Sequence, residues 1–505
     1  MNAQATTQQG EGNPTFVRNS IFSVISGIMS SATGFISGVI VARALGVSGT
    51  GVIALALWLV FAAVTLADCG ITGALARFLP EARGEGTRMR MLSTTLVWAF
   101  WIAVFAGEIV LLAVMLLWWP EAFAPGAWQG ANGMLSFWLI ALCFVIHMGN
   151  SFGYHFLRGI GRFDRIAAYS ISGSVAQIVI VFAGAMFFGP GGAFVAYIVG
   201  SLPLAIVTFR LSLRGAVADR TERGRIVGYS GTLWLAGLLS PLLWTRVDLI
   251  LVERIAGVEG AGLFTAAAGF SALLIQLCMM LCGAVLPHLS GTAVAGRTAA
   301  SGAALKAVLF VLIPMVFGTA AIAPRLIPLV YGPAFQSAGV PAVILAIAAG
   351  GSVVTIALSN VMNALDQNRL LVIGGIVGCV LTLCLGLLLI PSYGIMGAAF
   401  ARLGAQGTVA VITLVQLNRI QPGTVSMGWF APIVLAGVLC ALTASGVLVL
   451  WPSDWALIIA VPAGALLYLL MCRLLLRLDD ADRRLLGLNH ASGRAAMMVN
   501  RLIRA

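Results

Sequence analysis

Charge is what this chain has least of. Only 9% of its 505 residues are Asp, Glu, Lys or Arg, while 60% are hydrophobic, against roughly a quarter charged in water-soluble domains. With a mean hydropathy of +1.03, there is too little charge to cover a water-soluble surface, and a soluble fold is excluded. Segments long enough to form an aqueous domain are also missing between the apolar runs, which argues against a membrane glycosyltransferase, ligase or polymerase. No Walker loop, GxSxG elbow, HExxH pair or clustered Cys/His set occurs, so ATP hydrolysis and serine or zinc catalysis have no sequence support. No metal or cofactor is expected. The eight cysteines all lie within apolar runs, where no oxidant or loop partner reaches them, and no disulfide is predicted. Cys278 and Cys282 share a helix face without a nearby His or acid, so they read as small packing residues. The opening MNAQATTQQGEG lacks a basic region and runs into an apolar segment too long for a signal peptide, so the first helix is expected to be the targeting signal.

What fills the chain instead is a succession of apolar runs of membrane length. About 20 helical residues cross a bilayer, and each such run reads as a transmembrane helix. Breaks at Pro, Gly and charge clusters give fourteen, near 16–42, 52–76, 91–118, 134–157, 167–188, 192–211, 227–252, 261–286, 302–323, 338–362, 369–390, 395–417, 429–450 and 456–476. With the N-terminus inside, all but five of the 29 basic residues fall on the inner side, and loops such as Trp119–Gly133 are nearly free of them. Both termini are therefore expected in the cytoplasm. The net charge of +12 follows from this topology and from contact with anionic membrane lipid, and it is no evidence for nucleic-acid binding.

The helices are duplicated. VARALGVSGTG, Val41 to Gly51, returns 211 positions later as VERIAGVEGAG, Val252 to Gly262, with Val, Arg, Gly, Val, Gly and Gly matching. Each copy ends one apolar run and starts the next, so it reads as a hairpin hinge whose glycines supply positive φ. Leu79-Pro80 matches Leu286-Pro287, and Arg162 matches Arg369, at offset 207; Gly189, Gly192, Ala193 and Ala196 match Gly394, Gly397, Ala398 and Ala401 at offset 205. Six helices, an even number, form the repeat, so the halves point the same way and should be related by a pseudo-twofold axis along the membrane normal. The expected fold is all-α and polytopic: two six-helix bundles related by a parallel internal repeat, with two C-terminal helices. Its parts are a cytoplasmic tail 1–15, an N-lobe 16–211, a cytoplasmic linker 212–226, a C-lobe 227–418, helices 13 and 14 within 429–476, and a cytoplasmic tail 477–505. Two bundles facing a central cavity are a transporter arrangement.

The five basic residues outside the inner set are Arg43, Arg246, Arg254, Arg325 and Arg402. A charge deep in a bilayer costs about 2.5–3.5 kcal/mol on insertion scales, so such residues face water or a partner. Snorkelling to the outer interface also accounts for Arg43, Arg254 and above all Arg325. Asp68, Glu108 and Asp248 are the buried acids: Asp68 and Asp248 read either as interhelical ion-pair partners or as sites for a coupling ion, and Glu108, with no local partner in sequence, either as a protonated core carboxyl or as a coupling site. Arg246 and Asp248 are two residues apart and point to different sides of a helix. Six polar residues lie within apolar runs, His147, Asn150, Gln177, Gln276, Asn360 and Gln406, and hydrogen bonds between helices are expected to explain most of them.

VARALGVSGTG followed by ADCGITGALARFLPE, the segment TRVDLILVERIAGVEGAG and the later IPSYGIMGAAFA together resemble the polysaccharide-transporter, or Wzx-type, flippases of the multidrug/oligosaccharidyl-lipid/polysaccharide exporter superfamily. The resemblance covers essentially the whole chain. It implies alternating-access movement of an undecaprenyl-pyrophosphate-linked oligosaccharide from the cytoplasmic to the periplasmic leaflet of a bacterial inner membrane. It also implies a cationic cavity, for which Arg43, Arg246, Arg254 and Arg402 are the candidates, and ion coupling at Asp68, Glu108 or Asp248. Glycan polymerase and glycosyltransferases are candidate partners. The superfamily's lipid II flippases carry several arginines in the first two helices, whereas here Arg43 stands alone until Arg77, which favours an O-antigen or exopolysaccharide repeat unit as cargo. A cation-coupled drug or small-solute exporter is the alternative in the same superfamily; a membrane glycan ligase or polymerase is the alternative outside it.

Overall fold

The computed structural model describes residues 14–118, 133–211, 213, 215–238, 241–290, 297–364, 368–421 and 427–475. Nearly all of the two tails and of the outward loop Trp119–Gly133 lie outside the described residues. The described residues form thirteen α-helices and one short 3-10 turn, and eleven segments are long and apolar enough to cross a membrane. The chain is a multi-pass membrane protein. In hydrocarbon every backbone N–H and C=O must be bonded within the protein, and runs this apolar satisfy that only as helix. The outer faces of these helices, at Phe187, Leu388, Leu442 and Ile458 for example, are exposed and apolar, as lipid contact demands.

Of the fourteen expected segments, 52–76 and 227–252 are each divided between two helices, and three pairs of segments run on through their hinges as continuous helices. The first six helices are α1 (Pro14–Ala67), α2 (Ile71–Glu81), α3 (Gly86–Trp118), α4 (Gly133–Gly159), α5 (Phe163–Phe209) and α6 (Arg220–Leu238). They are followed by α7 (Pro241–Ser290), α8 (Arg297–Tyr331), the 3-10 turn Pro333–Ala338, α9 (Gly339–Ala364), α10 (Asn368–Tyr393), α11 (Ile395–Ile420), α12 (Met427–Leu450) and α13 (Ala456–Leu475). Two compact units emerge: Met1–Leu45 with Val52–Leu238, and Gly46–Gly51 with Leu239–Ala505.

The repeat seen in the sequence is present in the backbone. Gly46 in α1 has φ 68 and ψ −165, and its counterpart Gly257 in α7 has φ 76 and ψ −179, a region open essentially to glycine alone. At the second repeated hinge, Gly189 has φ 62 and Gly394 has φ 55. Packing follows the same symmetry inside the second unit. A Cβ on Gly51 would lie 2.1 Å from the Val258 carbonyl oxygen, and one on Gly262 would lie 2.1 Å from the Val47 carbonyl oxygen. The offset of 211 exchanges the two contacts, since Gly51 corresponds to Gly262 and Val47 to Val258, so the repeated segment from Gly46 or Gly257 closes on its own copy, backbone against backbone.

In the first unit the expected helix 52–76 is interrupted. Cys69 adopts φ 47 and Gly70 φ 74, ending α1 at Ala67 and starting α2 at Ile71. The cause is local: Asp68 accepts hydrogen bonds from the Thr72 N–H at 3.4 Å and from the Thr72 hydroxyl at 3.0 Å, offering the backbone an alternative to continuing the helix. α6 closes over this break. Trp234 Nε1 donates to the Leu66 carbonyl, left without a helical partner, at 2.9 Å, and Gly70 packs so tightly on the Ser230 carbonyl that a Cβ there would come within 2.1 Å. Further along, the Arg77 guanidinium lies 4.4 Å from the Tyr229 ring centre, and Arg88 donates to Glu222 at 2.9 Å. These contacts place α6 in the first unit, whereas the sequence reading assigned its residues to the linker 212–226 and to a helix 227–252 of the C-lobe. α7 begins only at Pro241.

In the second unit, α12 and α13 share one apolar core with α7, α8 and α9, built around Cys278, Leu309, Leu358, Trp429, Tyr468 and Cys472. Cys278 and Cys282 lie with sulfurs 3.9 Å apart in that core. Tyr468 donates to the Phe310 carbonyl at 2.8 Å. Arg325 on α8 donates to the carbonyls of Leu448, Trp451 at 2.9 Å and Ser453 at 3.4 Å, capping the C-terminus of α12, where a cation also complements the helix dipole.

Two predictions arise here. Gly262→Ala forces a Cβ against a backbone carbonyl and is expected to cost about 1–3 kcal/mol, whereas Gly34→Ala, with no neighbouring atom within 4 Å of the added carbon, is expected to be neutral; thermal unfolding of both in detergent decides. Arg325→Ala is expected to lower the melting temperature by a few degrees and to speed proteolysis around Trp451, with Arg325→Lys recovering part of the loss.

Candidate functional site

The kinked hairpin of α7 creates the site in the second unit. Asp248 lies nine residues before Gly257 and Phe264 seven residues after it, so the two arms bring them to similar depth, roughly 10–14 Å from the hinge at 1.5 Å per residue. Arg402 lies eight residues beyond the Gly394 hinge, on α11, roughly 12 Å in. These depths approach the middle of a hydrocarbon core about 30 Å thick. Small residues admit the close packing: a Cβ on Gly386 of α10 would come within 2.7 Å of the Leu251 side chain, and one on Gly404 of α11 within 2.9 Å of Leu385.

At that depth Asp248 and Arg402 form an ion pair. Arg402 Nε and Nη2 both approach Asp248 Oδ2 at 2.5 Å, and the guanidinium carbon lies 5.1 Å from the Phe264 ring centre, within range of a cation–π contact. The Asp248 side chain is only 2% exposed and that of Arg402 13%, so the acid is buried and the arginine side chain nearly so. Asp248 Oδ1 is buried with no hydrogen-bond partner among the described residues. One turn along the same face of α11, Gln406 accepts a hydrogen bond from Ser352 of α9 at Oε1, while its Nε2 is buried without a partner. The sequence treats Gln406 as one polar residue among six; its spacing of four from Arg402 is the signal that ties it to this site.

The remaining expected site residues are placed individually. Arg246 is in α7, its side chain outside the described residues. Arg43 and Arg254 are exposed, each three residues before its hinge glycine and therefore close to the helix end; Arg254 Nε lies 3.7 Å from Glu253 Oε2. Asp68 caps α2, as described above. Glu108 is half-buried in α3, with Oε2 buried and unpartnered among the described residues, beside Gly107, where a Cβ would press on Ala67 and Phe144. Of the seven residues, Asp248 and Arg402 are the pair brought into contact.

Hydrogen bonds between helices account for three of the six weaker polar residues. Gln177 donates to Ser37 of α1 at 3.1 Å, His147 Nε2 lies 3.4 Å from the Ser201 hydroxyl, and Gln406 meets Ser352.

Removing Arg402 alone would strand a buried carboxylate, which costs about 3–5 kcal/mol, whereas replacing both partners with apolar residues is often neutral. Arg402→Met is therefore expected to destabilise the protein severely, and Arg402→Met with Asp248→Leu to restore most of the loss. A double-mutant cycle by thermal unfolding measures both.

Comparison with known proteins agrees with this architecture. The sequence matches the family described as polysaccharide biosynthesis protein over residues 16–293. No curated protein matches it by sequence. Among solved structures, an inward closed conformation of the lipid II flippase MurJ is similar with a TM-score of 0.71 at 16% identity, covering 90% of this chain and 98% of that one. An inward-facing multidrug resistance MATE family transporter of the MOP superfamily gives a TM-score of 0.60 at 15% identity, covering 80% and 100%. A MOP superfamily transporter from Pyrococcus furiosus, described as having a binding pocket of reverse polarity, gives 0.56 at 15% identity, covering 80% and 95%. At such identities the structural likeness establishes the fold.

Proposed function

Because the chain belongs to the polysaccharide biosynthesis protein family, we propose that it is a flippase, moving an undecaprenyl-pyrophosphate-linked oligosaccharide from the cytoplasmic to the periplasmic leaflet of a bacterial inner membrane. The observation that carries this reading is an arginine held deep in a membrane helix, Arg402, whose side chain keeps 13% of its exposure while that of its acidic partner keeps 2%. Guanidinium groups bind phosphate oxygens in pairs, and an anionic headgroup is the cargo such a group suits. A carrier of cationic drugs would place a carboxylate at the more exposed position instead. O-antigen or exopolysaccharide repeat units are the proposed cargo, with Arg43, Arg246 and Arg254 as further contacts for the pyrophosphate or acidic sugars. Glu108 and Asp68 are proposed to carry a coupling ion together with Asp248; the unpartnered Glu108 oxygen supports its inclusion. Both termini are proposed to be cytoplasmic.

Deletion of the gene, followed by analysis of lipid-linked glycans and of their leaflet, tests this reading. Undecaprenyl-linked repeat units are expected to accumulate facing the cytoplasm and to clear on complementation; sensitivity to cationic drugs without any glycan intermediate would transfer the assignment to an exporter. In the complemented strain, Arg246→Ala is expected to reduce export with normal protein levels. Asp68→Asn keeps an acceptor for Thr72 but removes the charge, so a loss of export at normal stability would assign Asp68 to coupling, and wild-type export would confine it to capping α2.

A further inference from the structure

A guanidinium keeps its charge near neutral pH, and the Asp248 carboxylate paired with that of Arg402 is buried. If an anionic headgroup drew the guanidinium away while Asp248 stayed ionised, a buried carboxylate would lose the ion pair that neutralises it. The described geometry offers one relief. Arg402 Nε and Nη2 converge on Oδ2, leaving Oδ1 buried and without a hydrogen-bond partner among the described residues, so a proton can be accepted there without displacing any bond seen among them.

We propose that Asp248 and Arg402 are a partner-exchange pair, in which a proton taken up from water at Asp248 Oδ1 releases Arg402 to bind phosphate oxygens of the cargo headgroup. The proton returns to water when the headgroup leaves and the ion pair re-forms. This rests on the anionic-cargo reading given above. The empty site is thereby neutral, with cation and anion cancelling, and the loaded site has Asp248 neutral and Arg402 cancelled by the headgroup. Neither state leaves Asp248 or Arg402 as an uncompensated charge in the core, and the remaining charge of the headgroup stays outside the pair. Proton and anion reinforce one another's binding, and the coupling is reciprocal.

The surroundings isolate the exchange. α7 packs against α8, the 3-10 turn, α9, α10 and α11. The turn and α9 carry no ionisable side chain, and α8, α10 and α11 carry no acid. Other acids of α7 are Glu253, which lies against Arg254, and Glu259, beyond the kink. Among the cations of these helices, Arg325 caps α12, Lys306 lies 5.9 Å from the Trp429 ring centre, Arg369 and Arg419 sit in the end turns of α10 and α11, and Arg246 precedes Asp248 by two residues. Asp248 is the acid that Arg402 contacts. The unpartnered Gln406 Nε2, one turn away, is a second donor on the same helix face.

The test uses the full-length protein in nanodiscs, with undecaprenyl pyrophosphate as probe and undecaprenol, which lacks the phosphates, as control. Calorimetry at one pH in two buffers of different ionisation enthalpy counts protons taken up on binding. For the wild type, affinity for the pyrophosphate lipid is expected to rise as pH falls, by at most about tenfold per pH unit for one proton, with proton uptake beyond that of Asp248→Asn. Asp248→Asn is expected to bind more tightly than wild type at neutral pH. Arg402→Met with Asp248→Leu, checked for a single size-exclusion peak, is expected to bind at least tenfold more weakly. Wild-type affinity and proton uptake in Asp248→Asn, or undiminished binding by the folded double variant, would overturn the exchange while leaving the flippase reading intact. Binding of undecaprenol as tight as that of the pyrophosphate lipid, or binding of a cationic drug alone, would overturn the exchange together with the anionic-cargo reading.

Discussion

Hydrocarbon offers a backbone nothing to bond to, and the architecture is shaped by that constraint. A chain that reverses direction repeatedly across a bilayer must close each turn without stranding N–H or C=O groups. This protein meets the demand at its two repeated hinges with a single glycine each time, so the helical hydrogen bonding stays almost unbroken: Gly46 and Gly257 at one, Gly189 and Gly394 at the other, all with positive φ. Glycine is also what lets the hinge segments approach so closely, since Gly51 and Gly262 each meet a carbonyl where no side chain fits. Where the helix does break, at Asp68–Gly70, the exposed groups are taken up by the Asp68 carboxylate and the Trp234 indole.

The same constraint governs charge. Arg325, an apparent exception to the inner clustering of basic residues, caps three carbonyls at the end of α12 and so ties the last two helices to α8. Arg402 is satisfied by Asp248 and by the face of Phe264. An ion pair in such surroundings contributes little net stability, and one carboxylate oxygen is left unpartnered among the described residues; both suit the proposed exchange of partners.

Much of this was legible in the sequence. The fourteen segments followed from hydropathy, the hinges from an eleven-residue repeat, and Asp248 and Arg402 from the rarity of charge inside apolar runs. Their mutual contact was not legible, because 154 positions separate them. The attachment of α6 to the first unit was hidden for a related reason. Hydropathy ran the end of α6 and the start of α7 together as one span, and only side chains such as Trp234, Tyr229 and Glu222 decide where α6 packs. Gln406 gained meaning only once its neighbour one turn away proved to be half of the ion pair.

By itself the sequence determined that this is an α-helical, internally duplicated membrane protein, because the length and period of apolar runs are local properties imposed by the thickness and dryness of a bilayer. It determined the hinges too, since positive φ at repeated positions requires glycine in each copy. Tertiary structure decided which buried charges meet, which merely cap a helix, and which unit a half-helix joins. Those outcomes depend on distances between residues far apart in the chain, and the energy of a charge in hydrocarbon is set by what stands within a few ångströms of it.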